Sequence, residues 1–195
     1  MKLKEHAPPL AIPVGERDHS FGPVDAPVTL VEYGDYECPY CGKAFPVVKE
    51  LRRRFGDRLR FVFRNFPLNT IHEHAGVAAQ AAEAAAAQRK FWEMHDLLYE
   101  NQDKLADVDL RSYALKVGLE LYRFDADLSS ERFAARVRED FRGGVRSGVN
   151  GTPTFFINGF RHNGGFRMGE LLPAIEAALA SASSAPGKSA TTTKE

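Results

Sequence analysis

Three kinds of hydrophobic pattern follow one another along the chain. Val28 to Tyr33 (VTLVEY) is a short, apolar, β-branched run, which predicts a buried strand ended by Gly34 and Asp35. From Ala44 to Phe55 the spacing turns helical, with Phe45, Val48, Leu51 and Phe55 on one face. Arg58 to Phe66 reads as a second strand. The next stretch is helical almost throughout. It predicts one helix over 71–101, with the Ala-rich run 78–87 followed by Phe91, Trp92, His95 and Leu98 at helical spacing. Further helices are expected over 107–117, 121–128 and 130–148. Strand character returns at Thr154 to Ile157, where Asn158-Gly159 makes a two-residue hairpin turn into 160–163. An amphipathic helix over 170–180 covers the sheet, and 181–195, rich in Ser, Thr and Ala without periodicity, is expected to be disordered. Strands at both ends with helices between them predict an α/β fold with a helical insertion. No segment repeats.

Composition narrows the function classes rather than choosing one. Lys plus Arg equals Asp plus Glu at 26 each, so no net field suggests a nucleic-acid or membrane partner. The one basic run, Arg52-Arg53-Arg54, ends the first helix, where cations suit the dipole, and reads as a solvated helix end. Residues 1–22 hold no long apolar stretch, because Leu10-Ala11-Ile12 is cut off by Pro13; this argues against a signal-peptide core. No transmembrane run exists either. A cytoplasmic location is the expectation, and it agrees with the lack of cysteines for structural disulfides.

The chain has two cysteines, Cys38 and Cys41, in the sequence CPYC. They fall where the first strand hands over to the first helix, with Pro39 in the first turn, where a missing N–H costs little. Cys38 at the helix N-terminus meets unpaired backbone N–H groups and the positive end of the dipole, which favour a nucleophilic thiolate. Cys41, one turn inward, can attack a mixed disulfide formed at Cys38, the arrangement of a dithiol/disulfide couple. Glu37 beside Cys38 opposes thiolate formation. The competing reading is half a zinc site, with His72 and His74 as further ligands. Thr70-x-x-Glu73 matches a capping box, however, which assigns both histidines to a solvated first helical turn. In the aromatic stripe of the insertion, His95 reads as a satisfied core histidine. Gly143, Gly144 and Gly148 each cost about 1 kcal/mol in a helix relative to alanine. Close approach of backbone to the active-site loop is the expected compensation.

Far downstream stands GTPTFFING at 151–159, with Pro153 at the head of its strand, a position a sheet tolerates. With CPYC after VTLVEYGDYE, with FRNFPL at 63–68 and with KFWEMHDLLYE at 90–100, it makes the chain resemble the DsbA-like branch of the thioredoxin superfamily from about Pro23 to Leu179. The resemblance implies a thioredoxin-like fold with a helical insertion domain. It divides the chain into an N-terminal extension (1–22), a discontinuous core (23–69 and 150–180), an inserted helical domain (70–149) and a tail (181–195). It also implies that Thr152-Pro153 is cis and packs against the redox pair, and that Thr152 offers its backbone to an extended substrate by β-augmentation. Pro39, Tyr40, Thr152 and Pro153 would form the substrate-binding surface. Glu32, six residues before Cys38, matches a buried carboxylate beneath the second cysteine. Buried in an apolar strand it would be partly protonated and could move the Cys41 proton. Alternation with Val31 and Tyr33 also allows Glu32 to point outward.

The implied function is a thiol-disulfide oxidoreductase working through Cys38, Cys41 and Glu32, without metal or organic cofactor. Its partners would be protein thiols and disulfides or glutathione-like small thiols. The Pro-Tyr dipeptide between the cysteines is that of glutaredoxins, which implies an intermediate potential and a reductase or isomerase role. The alternative is a non-catalytic thioredoxin-like binding module whose CxxC holds zinc or lies silent. Oligomeric state is not legible.

Overall fold

A computed structural model describes residues Pro9 to Ser184. Five strands, β1 (His19–Phe21), β2 (Val28–Gly34), β3 (Leu59–Asn65), β4 (Thr154–Ile157) and β5 (Phe160–Arg161), form one sheet in the order β1-β3-β2-β4-β5. Only β2 and β3 are parallel, and such a pair needs a crossover, supplied by α1 (Pro39–Phe55). The turn at Asn158-Gly159, with both residues at positive φ, brings β5 back antiparallel to β4. Between β3 and β4 lie α2 (Ala75–Ala86), α3 (Phe91–Glu100), α4 (Asp107–Lys116), α5 (Leu121–Ser129) and α6 (Ala134–Arg146), and α7 (Met168–Ser184) follows β5. Among the described residues no helix is long and apolar enough to cross a membrane.

Strand alternation divides the core between the two sheet faces. Val28, Leu30, Leu59, Phe61 and Phe63 join the larger cluster with α1, the insertion helices α2–α5 and α7, and both cysteines lie in it. Val31, Tyr33 and Val62 face a smaller cluster with Phe66, Val149 and Phe156, flanked by Leu10, Val14 and Phe141.

Several expectations need correction. The sheet begins before Pro23: β1 falls within the expected N-terminal extension and pairs with β3, while Pro9 bridges to Phe160. His19 stacks on Phe91 at 3.6 Å, and the Trp92 Nε1–H donates to the Ser20 carbonyl at 3.3 Å. Arg52 is not a solvated helix end, because its guanidinium lies 3.7 Å over the Phe21 ring. The single helix expected over 71–101 is two, α2 and α3, broken by a turn in which Arg89 takes a positive φ of 61°. Residues 181–184 continue α7; the rest of the expected disordered tail, 185–195, lies outside the described residues. The bare Gly144 backbone admits aromatic rings rather than the active-site loop: a Cβ there would lie 2.6 Å from Phe66 and 3.0 Å from Tyr33.

Candidate active site

The redox pair stands where β2 gives way to α1. Cys38 is the N-cap of α1 (φ −71°, ψ 120°) and Pro39 occupies the first helical turn. The Cys38 carbonyl accepts the Gly42 N–H at 3.1 Å, and the Cys38 N–H donates to the Asp35 carbonyl at 3.2 Å. The preceding loop is held from below by carboxylates. Buried Asp35 accepts from the N–H groups of Glu37 and Leu68, each at 2.8 Å, and from His72 Nδ1 at 2.7 Å. Burial disfavours a charged His72, but the Asp35 carboxylate outweighs it and holds the imidazole pKa above its ordinary value. Glu37 accepts from the His74 N–H at 2.6 Å and meets His74 Nδ1 at 3.2 Å.

The expected capping box at Thr70-x-x-Glu73 is therefore absent. α2 starts at Ala75 with His74 as its cap, and the carboxylate there comes from Glu37, far away in sequence. Both histidines of the zinc reading are occupied by carboxylates. Among the described residues no three His, Cys, Asp or Glu side chains converge as a metal ion would require.

The two thiols are free, buried and electrostatically opposite. The Cys38 pKa is pushed down to about 5 by hydrogen bonding from the Cys41 thiol, with further help from Thr152 and the backbone N–H groups of Cys41 and Tyr40. The Cys41 thiol is pushed well up, first by complete burial, then by its bond to Cys38 and by the charge of Glu32. A thiolate at the helix cap and a retained proton one turn inward are what nucleophile and resolving thiol require.

Thr152 comes from the other end of the chain. The Thr152–Pro153 peptide is cis, and the Cys38 thiol, when protonated, donates to the Thr152 carbonyl at 3.4 Å. Thr152 Oγ1 is buried without a partner among the described residues, which leaves a hydroxyl donor for the thiolate. Glu32 lies on the face of β2 that carries Val28 and Leu30, and it is buried, not outward. No hydrogen bond satisfies its carboxylate among the described residues. Burial, and after it the Cys38 charge, push its pKa up to about 8.

Pro39 and Tyr40 form the rim. Tyr40 is more than half exposed and lies 6.4 Å from the Phe166 ring. Beside them a cleft of about 180 Å³ is lined by Pro153, Thr154, Phe155, His162 and Phe166. A larger cavity of about 460 Å³ lies on the Tyr33–Arg64 face and contains none of these residues. His95 is part of the core: its Nδ1 bonds the Tyr36 hydroxyl at 3.1 Å, and burial holds it well below the usual histidine range, so it is neutral.

Two contributors carry no local signal in the sequence. Asp35 reads as strand punctuation, and Gln102 as an ordinary polar residue after α3. The Gln102 Nε2 donates to the carbonyls of Tyr36 at 2.7 Å and Cys38 at 2.9 Å.

Comparison with known proteins agrees with this fold. A family model described as Thioredoxin matches residues 15–177. The chain is 51% identical over 172 residues, 88% of its length, to the Na(+)/H(+) antiporter NhaA 1 of Salinispora arenicola. It spans about a quarter of the length of that curated relative (26%). Among solved structures it resembles oxidised BdbD from Bacillus subtilis, with a TM-score of 0.75 at 25% identity, covering 90% of this chain and 97% of that one. A thioredoxin-like oxidoreductase from Silicibacter pomeroyi gives a TM-score of 0.75 at 28% identity, covering 84% and 93%. The family model spans most of the chain and the solved structures share its fold, so the chain belongs to the thioredoxin family, as a DsbA-like member.

Proposed function

We propose that this protein catalyses thiol-disulfide exchange, with Cys38 as nucleophile, Cys41 as resolving thiol and Glu32 as the proton acceptor for Cys41. The observation that carries this reading is the placement of Cys38 as the cap of α1, its sulfur 3.4 Å from the Thr152 carbonyl of the cis-proline loop, with Cys41 buried one turn inward; the opposite displacement of the two thiol pKa values agrees with it. The Cys38 thiolate attacks one sulfur of a substrate disulfide. That S–S bond breaks, the departing sulfur takes a proton, and a mixed disulfide forms. Once Cys38 is in the mixed disulfide its charge no longer raises the Glu32 pKa, so Glu32 more readily loses its proton; in that ionised form its carboxylate takes the Cys41 proton as Cys41 attacks Cys38 Sγ. The mixed disulfide breaks, the second substrate thiol leaves, and the protein is oxidised by two electrons as the substrate is reduced. The half-buried backbone at Thr152 and the rim of Pro39, Tyr40 and Pro153 would hold an extended polypeptide, with small thiols as alternative partners.

A nucleophile pKa of about 5 lies between roughly 7 for thioredoxin and roughly 3.5 for DsbA. This supports an intermediate potential and, against a cytosolic glutathione poise, a reductase or isomerase role. The 51% identity to about a quarter of an antiporter's length supports one particular setting, a redox unit working beside a membrane cation transporter.

Two variants test the chemistry. Cys38→Ser should abolish exchange, whereas Cys41→Ser should still attack and accumulate mixed disulfides. Faster alkylation of Cys41 than of Cys38 in the reduced protein overturns the assignment. Equilibration with glutathione buffers tests the direction: a potential near about −120 mV, that of DsbA, would make the protein an oxidant. Identifying the partners trapped on Cys41→Ser tests the transporter setting.

A further inference from the structure

We infer that Gln102, from the turn after α3 of the helical insertion, is a positioning residue of the redox pair: its side-chain amide straps the Tyr36 and Cys38 carbonyls together, and the bare Cα of Gly42 gives it room. The inference builds on the exchange reading above and adds a role for the insertion.

The geometry is specific. Both Gln102 bonds come from one NH₂ group, which has two hydrogens, so its donors are fully used. The Cys38 carbonyl also receives the Gly42 N–H, the first hydrogen bond of α1. Gln102 therefore closes the loop 36–38 onto the helix start. That start carries the Tyr40 and Cys41 N–H groups that face the Cys38 sulfur. If the turn loosens, those dipoles lose their aim and the thiolate loses stabilisation, although Gln102 itself touches neither sulfur.

Gly42 is the second half of the argument. It sits inside α1, where glycine is a poor helix former, and nothing in its own conformation calls for glycine. What requires it is space. A Cβ there would overlap the Gln102 amide, lying 2.7 Å from its Cδ and in closer conflict with its Oε1. The obstructing atoms are the end of a flexible side chain, so alanine would be accommodated by swinging Gln102 aside. The helix would gain and the strap would be lost.

The test uses the full chain in its reduced form. Thiolate formation is followed by absorbance near 240 nm against pH, and exchange by single-turnover reaction with oxidised glutathione. Gln102→Leu, which keeps bulk and removes the donors, should raise the Cys38 pKa by about one unit, leaving about tenfold less thiolate at pH 4. Gly42→Ala should raise it in the same direction, the opposite of what plain helix propensity would do to the thiol. In a Gln102→Ala background, Gly42→Ala should move the pKa by less than about 0.3 unit, because the strap is already gone. A Gln102→Leu protein that is folded by circular dichroism, titrates like the parent and exchanges at the parent rate overturns the inference. So do additive effects of the two substitutions. Absence of exchange in the unaltered protein would overturn the proposed function instead, and the titration would still decide the strap.

Discussion

Glu32 and Arg64 are buried charges on neighbouring strands, and they meet opposite fates. Arg64 points to the Tyr33 face of the sheet, where its guanidinium makes a bidentate pair with Asp18 at 2.7 and 3.0 Å. It also donates to the Ile12 and Pro13 carbonyls and to the Tyr33 hydroxyl. Every donor is satisfied, so the pKa of Arg64 moves up despite burial, and that of Asp18 moves down although burial alone would raise it. Glu32 points to the other face, beneath the cysteines, and has no such partner. Burial drives it toward its protonated form. A fully paired buried charge ties the N-terminal segment to the sheet; an unpaired one close to a reactive thiol is a proton site.

Removing Arg64 should give the largest effect. Arg64→Met would strand the Asp18 carboxylate and two carbonyls, and should cost about 3–5 kcal/mol in urea unfolding at pH 7. Exchange by the folded fraction should be unchanged; a slowed exchange would join the two regions that the comparison separates.

Glu32→Gln should act with the opposite sign. The folded pKa of about 8 exceeds the ordinary 4.5, so the folded state keeps a proton that the unfolded chain has released. The stability this favours is complete below about pH 4.5 and is lost as pH rises through about 8, a total on the order of 4 kcal/mol. Cys38, depressed to about 5, imposes the reverse slope, with stability present above the ordinary thiol pKa and lost as pH falls through about 5. Compared within a Cys38→Ser background, Glu32→Gln should therefore be the more stable protein near pH 8 and the two should converge near pH 4. In the redox-competent protein the same substitution should slow resolution of the mixed disulfide far more than its formation. Equal slowing of both steps would remove Glu32 from the mechanism.

The smallest effect belongs to His72. Its pKa is raised by Asp35, so the contact stabilises fully below the ordinary histidine value and fades as pH rises through the folded one. His72→Gln should cost no more than about 1 kcal/mol at pH 5.5, and less at pH 8.5, by thermal unfolding. A larger loss at high pH would mean that neutral His72 is the structural form.

The sequence is most informative where local pattern and tertiary environment agree. β2, β3, β4 and α1 follow from continuous apolar or helical spacing, and the cysteines follow from their place between strand and helix. β1 is illegible because three residues, His-Ser-Phe, carry no periodicity; Phe91, Trp92 and Arg52 hold it from elements 30 or more residues away. The break at Arg89 has no Gly or Pro to announce it, so by spacing alone the alanine run flows into the aromatic stripe. Thr70 and Glu73 present a sound local capping signal, and a distant carboxylate, Glu37, overrides it. Gln102 works through backbone carbonyls in another element, a relation that no spacing rule encodes.

The contact between the Cys38 sulfur and the Thr152 carbonyl joins residues 114 positions apart. A ribosome would release Cys38 long before Thr152 exists, so that cysteine can meet Cys41 and the first N–H groups of α1 early, while the Thr152 side of its environment waits for the late strands to dock. The site is therefore built in two stages, the local one from α1 and the distant one only when β4 is in place.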